Sequence, residues 1–209
     1  MKQTVTCLLA LLWLALPALA QTADPLRQKL TQVFAPLDKS QVPTGRLAEY
    51  ATPLIGLHHF DGTLADSALE DMDVLRHLYA TALSSRIYGQ DTLPSVLTLN
   101  QRLEAAAPAT ASAPLAVAVL SLSYARLRPD AEAAGLVSIQ NEQVYDVAGR
   151  PASPYQTRAL FAAAPERSYA ASPTVQLVLR RNLYLAEGQP GTPTPYLDFA
   201  DGQGYRPAT

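Results

Sequence analysis

The sequence predicts an α+β fold: a small helical N-terminal part followed by an antiparallel β-sandwich. Two observations carry this. Apolar residues recur at helical spacing within Leu26–Val33 and again within Leu69–Ile87, and from Leu115 onward the period changes to two. In addition, 17 prolines and 10 glycines divide the 209 residues into short pieces, which suits strands and loops better than a helical bundle. Apolar residues make up 48% of the chain and charged residues 16%, so there is material for a core and too little charge for a solvated, disordered polymer. The length admits one sizeable domain or a small helical part joined to a β-domain.

Residues 1–20 read as a signal peptide. Lys2 supplies the positive start, Cys7–Leu16 is an apolar run, and Ala18-Leu19-Ala20 is the small-x-small ending accepted before cleavage. The run is short for a membrane span. A lipoprotein would need cysteine after the cut, where Gln21 stands. Cys7 is the single cysteine, so the mature chain is expected to have neither a disulfide nor a thiolate site. The address implied is secreted: periplasm, cell surface or beyond.

Residues 21–107 form the expected helical region. Pro25 suits a first helical position, and Leu26, Leu30 and Val33 share one face of a helix over Asp24–Phe34. Ala35–Leu57 reads as an extended connection with turns at Asp38-Lys39-Ser40 and Pro43-Thr44-Gly45. Ser67 and Glu70 fit a capping box ahead of the stripe Leu69, Met72, Leu75, Tyr79, Ala82 or Leu83, and Ile87, with Gly89 as the stop and Asp71 on the exposed face. A further helix is expected from Ser95 to about Ala106. Ala107–Pro114, small and low in complexity, reads as a linker.

Residues 115–209 form the expected β-sandwich-like domain. Leu115–Tyr124 keeps Leu120, Leu122 and Tyr124 on one side. Val137–Ile139 and Val144–Val147 suggest a hairpin, and Ala159–Ala163 and Val175–Leu179 two more strands. Arg180-Arg181-Asn182 interrupts the apolar run before Leu183 and Leu185 resume it. A last strand, Tyr196–Phe199, leads to a turn at Asp201-Gly202. Burial is expected at Leu69, Met72, Leu75, Tyr79, Val117, Val119, Leu177 and Leu179. Because little chain follows the Asp201-Gly202 turn, the sandwich is expected to be incomplete at its C-terminus.

A net charge of −2 leaves no basic footprint for nucleic acid, and beyond the first twenty residues no apolar stretch has spanning length. His58, His59 and Asp61, with His77 on the next helix, invite a metal reading. Adjacent histidines on extended chain point to opposite sides, so the plainer expectation is two loop histidines. Asp198 and Asp201 invite a calcium reading, but two carboxylates are few for that ion and a turn is the simpler account. Glu142, Asp146 and Asp198 make no defined pair for glycoside hydrolysis, and the G-x-S-x-G elbow of many serine hydrolases is absent. Tyr145, Tyr155, Tyr169, Tyr184, Tyr196 and Tyr205 read either as half-buried strand tyrosines or as a surface for stacking glycan rings. No catalytic, cofactor-binding or metal-binding residue is therefore assigned, and no cofactor is expected.

Leu197-Asp198-Phe199-Ala200-Asp201-Gly202 resembles the turn of polycystic-kidney-disease-type immunoglobulin-like sandwiches through Phe199, Asp201 and Gly202, with Ala200 in place of a glycine and Leu197 at the aromatic position. This implies immunoglobulin-like character for the sandwich. Leu37–Gly45, Phe60–Thr63, Ser153–Pro165 and Leu197–Tyr205 together resemble the N-terminal region of uncharacterised secreted proteins of Bacteroidota, which often carry a type IX secretion sorting domain. That resemblance implies an address rather than an activity. The expected function is a secreted, non-catalytic extracellular module for adhesion, assembly or display, with an extracellular protein or glycan as partner. The alternative is the N-terminal non-catalytic part of a larger secreted hydrolase whose catalytic domain lies beyond residue 209.

Overall fold

The computed structural model describes residues 24–62, 71–107, 110, 113–167, 174–187, 196–197, 202–204 and 206–207. The signal segment 1–20, Leu69, the Ser67/Glu70 capping box, Asp198 and Asp201 lie outside them. Three helices and three small sheets make up the α+β architecture described.

Helix α1 (Pro25–Val33) begins as its sequence dictates, with Pro25 in the first turn and the Asp24 carboxylate accepting the Leu26 amide. It docks through Arg27. That guanidinium lies 3.9 Å over the Tyr50 ring and donates to the carbonyls of Tyr50 (2.7 Å) and Ser84 (2.6 Å). The Ser84 carbonyl belongs to the C-terminus of α2, where a cation meets both free acceptors and the negative end of the helix dipole.

Helix α2 (Met72–Ser84) is started by Asp71, whose carboxylate accepts the Val74 amide at 2.8 Å, so Asp71 is a cap and not merely a solvent-facing charge. Its buried stripe includes Met72, Leu75, Leu78, Tyr79 and Ala82, as the periodicity requires. The helix ends at Ser85, before Gly89, because Arg86 leaves the helix to form a bridge with Arg46. Helix α3 (Val96–Ala106) lies where a helix is expected, and Ser95 serves as its cap, its hydroxyl accepting the Thr98 amide. The Tyr79 hydroxyl donates to the Pro94 carbonyl at 2.5 Å and ties α2 to the approach of α3.

The principal sheet contains β1 (Leu115–Leu127), β4 (Tyr155–Pro165) and β5 (Leu177–Ala186) in the order β4-β1-β5. Strand β4 runs antiparallel to β1, but β5 runs parallel to it, so the sheet is mixed and the all-antiparallel expectation is corrected. Hairpin β2 (Val137–Gln140) and β3 (Gln143–Asp146) turns through Asn141 and Glu142, both at positive φ, as a tight two-residue hairpin needs. Strands β6 (Tyr196–Leu197) and β7 (Arg206–Pro207) form a two-residue antiparallel pair. Among the described residues no closed sandwich is formed.

One face of the sheet packs directly on the helices. Ala116, Ala118, Leu120, Leu122 and Tyr124 of β1 share a core with Leu75, Leu78 and Tyr79 of α2, Leu99 and Leu103 of α3, and Leu183 and Leu185 of β5. The helical residues and the sheet are thus layers of one core. A second cluster joins Phe34, Leu37, Val42, Leu47 and Tyr50 to Ala125 of β1 and Val137 and Val144 of the hairpin.

Of the residues expected in the core, Met72, Leu75, Tyr79 and Val119 are buried and Val117 is partly so. Leu177 and Leu179 are not; they remain 42% and 41% exposed. The reason is a bulge. Val117 pairs with Leu179 and Val119 with Tyr184, so β5 advances five residues while β1 advances two. The odd number of extra residues, at Arg180–Asn182, inverts the facing of the strand. Val178 and then Leu183 and Leu185 turn inward, while Leu177 and Leu179 turn outward.

Gly45 marks the tightest approach. Its φ is +66°, and a Cβ there would lie 2.7 Å from the Tyr88 carbonyl oxygen and 2.8 Å from an Arg86 guanidinium nitrogen. Its own carbonyl accepts the Ile87 and Tyr88 amides. Gly45→Ala is expected to destabilise the protein by about 1–3 kcal/mol, from left-handed backbone strain plus the clash. Urea denaturation would measure it.

Candidate functional site

A cavity of about 210 Å³ opens where the 48–58 segment crosses the end of β1. Its apolar wall is Ala48, Ala51, Pro53, Ile55 and Leu57, and its polar wall is Glu49, His58, Thr81, Tyr124 and Arg126. At about 30 Å³ per water it has room for some seven waters, below the range typical of drug-sized ligands and suited to a small one.

The local sequence explains how these groups converge. Leu47 forms a parallel bridge with Ala125, and the Ala125 amide donates to the Arg46 carbonyl at 2.8 Å. A single turn of 3₁₀ helix at Ala48–Tyr50 then carries the chain off the sheet. The next sheet donor, the Leu127 amide, is met instead by both carboxylate oxygens of Glu49 at 3.2 Å. Burial pushes the Glu49 pKa up from 4.5, opposed by its backbone hydrogen bonds and by the Arg126 charge. A folded pKa raised above the unfolded value means that the native state holds the proton more tightly. Stability is then greatest below the unfolded pKa and falls as pH rises through the folded one. Glu49→Gln is therefore expected to stabilise the protein at neutral pH, with the advantage vanishing below the ordinary glutamate value of 4.5. Denaturant midpoints of both proteins across acid pH would check this.

Tyr124 continues the core-facing row of β1 and is 2% exposed, and burial raises its phenol pKa. Among the described residues its hydroxyl makes no hydrogen bond, and Arg126, next in the same row, makes no hydrogen bond or ion pair. The Thr81 hydroxyl oxygen accepts the Leu54 amide at 3.3 Å and holds the far wall.

His58 stands exposed at the mouth. With His59 it lies on a 3₁₀ turn, Leu57–His59, where successive side chains are separated by about 120° and not the 180° of a strand. The two rings consequently lie side by side, 3.9 Å between centroids and tilted by 40°, which corrects the expectation of opposed histidines. Gly56 makes room for them, since a Cβ there would stand 3.0 Å from His58 and 3.1 Å from His59. Asp61 is exposed on the following loop and His77 on α2. Among the described residues no group of three or more His, Cys, Asp or Glu side chains could hold a metal ion. Glu142 pairs with Lys29 at 2.5 Å, and Asp146 accepts the Asp38 amide at 2.5 Å and pairs with Arg150, so both carboxylates bind the hairpin to its neighbours.

Glu49, Thr81 and Arg126 are not singled out by the sequence, and Tyr124 is legible there only as one of the strand's one-sided row. One signal was present: the inward row Leu120, Leu122, Tyr124 changes from aliphatic to polar at Arg126, which marks a strand end whose core face opens to water. No helix among the described residues is long and apolar enough to cross a membrane. Compared with protein-family models, with curated proteins and with solved structures, the chain has no match.

Proposed function

We propose that the chain is a non-catalytic module, exported by way of its N-terminal segment, that serves adhesion, assembly or display outside the cytoplasm. The observation that carries this reading is the outward face of the principal sheet. Phe161, Leu177 and Leu179 lie there 44%, 42% and 41% exposed, on the side away from the helices. Large apolar side chains left exposed on one sheet face suit a contact with another protein layer better than they suit solvent. On this reading the sheet is one layer of an immunoglobulin-like sandwich, its outward face being the contact surface. The lineage resembled, secreted Bacteroidota proteins, accords with the address suggested by Lys2 and Ala18-Leu19-Ala20.

The test has two arms. The chain produced with its leader should be recovered from the envelope or medium with an intact mass that places Gln21 first; a retained Met1 would defeat the export claim. The purified chain should remain on the surface of the cells that make it, and a Phe161→Gln/Leu179→Gln variant should lose that retention with an unchanged melting profile. Equal retention by the variant, or turnover of ester or glycan substrates by residues 21–209 alone, would overturn the module reading.

A further inference from the structure

We infer that the cavity between the 48–58 segment and the end of β1 is a binding site for a small aliphatic carboxylate. The donors in its wall carry the inference. Arg126 presents a guanidinium that forms no close ion pair among the described residues, although its charge acts on the Glu49 carboxylate across the cavity. Tyr124 lines the same cavity with a hydroxyl that bonds no group among the described residues and is not sealed from the cavity's solvent. A planar fork of N–H donors beside a phenol matches the two oxygens of a carboxylate, with the fork gripping both and the phenol donating to one.

The remaining lining sets the rest of the ligand. Pro53, Ile55 and Leu57 offer an aliphatic surface to a short branched or linear chain. The volume, about 210 Å³, admits such an acid and excludes a large one. Glu49 in the wall, and Asp61 whose charge also reaches Tyr124, oppose an anion. The Glu49 oxygens are directed to the Leu127 amide rather than into the cavity's centre of donors, so the opposition is offset in part. Exposed His58 at the mouth leaves a path for entry.

The probe is 3-methylbutanoate, titrated into the ¹⁵N-labelled chain in a buffer free of carboxylates and followed by amide shifts, with uncharged 3-methylbutanamide as the control. Saturable shifts at millimolar ligand, confined to residues 48–58, 81 and 124–127, are expected for the acid and not for the amide. Arg126→Gln should weaken binding about tenfold or more, and Tyr124→Phe by a lesser factor, in keeping with charge-assisted and neutral hydrogen bonds. Glu49→Gln should strengthen it, because the anion no longer faces that carboxylate. Tyr124→Phe keeps the ring and Arg126→Gln keeps a polar side chain, and the melting profiles of both report whether the fold is intact. Absence of saturable shifts, equal binding of the amide, or unchanged affinity in folded Arg126→Gln would each overturn the assignment.

Discussion

Replacing Arg46 by alanine is expected to destabilise the protein by about 3–5 kcal/mol, the cost of breaking a buried ion pair from one side. The Arg46 side chain is wholly buried, and every arm of its guanidinium is engaged. Nε and one terminal nitrogen donate to Glu187 at 2.9 and 2.7 Å, the same nitrogen meets Asp91, and the other donates to the Ala82 carbonyl at 2.6 Å. Arg86 closes the cluster from outside, bonding Glu187 and, at 3.3 Å, Asp91. Four charges therefore fasten the 45–47 segment, the end of α2 and the end of β5 together. Removing Arg46 leaves two carboxylates, only 26% and 22% exposed, with Arg86 as the remaining guanidinium of the cluster, and it opens a cavity where the side chain lay. Arg46→Lys should recover part of the loss, since a point charge cannot reproduce the fork that spans two acids and a carbonyl. Urea denaturation midpoints, with the slope checked for constancy, would measure both. A loss below about 1 kcal/mol for Arg46→Ala, the size expected of an exposed pair, would show that the cluster is superficial.

A contrast of comparable size is expected within β5. Leu183→Ala should cost about 2–5 kcal/mol, because Leu183 is 0% exposed and lies in the same core as Leu120 and Tyr79. Leu179→Ala, only four residues earlier in the same strand, should change stability by about 0.5 kcal/mol, as surface substitutions usually do. A regular strand would place both leucines on one face, since their spacing is even. The difference therefore reads out the bulge at Arg180–Asn182 directly. If the two substitutions cost the same, β5 runs without the inversion and Leu179 belongs to the core. Deleting one residue of the Arg180–Asn182 triplet would test it from the other side, since the deletion should force either the outer or the inner leucines onto the wrong face.

Local chemistry was legible in the sequence where it rests on nearest neighbours. Pro25 at a first helical position, the helix start at Ser95, and the stripe Met72, Leu75 and Tyr79 needed only local backbone chemistry and helical periodicity, and α1, α2 and α3 formed accordingly. The hairpin of β2 and β3 and the long alternation of β1 were legible for the same reason. Even the irregularity in β5 showed, as three polar residues within an apolar alternation. What it did to the facing of Leu177 and Leu179 did not, because a bulge is defined by the partner strand's count of residues and not by its own.

The sequence by itself determined which segments are helices and strands, since caps and periodicity act over a few residues. Only the tertiary structure decided how those segments combine. The parallel alignment of β5 on β1 brings together residues some sixty positions apart, and no local pattern encodes the direction in which a distant strand returns. The same holds for the cavity, where Glu49 meets the Leu127 amide across 78 residues of chain. Arg46, an ordinary cation in a turn-rich stretch of sequence, becomes a buried hub because three distant segments bring it two carboxylates and a carbonyl. A side chain's charge is local, but its burial and its partners belong to the packed whole.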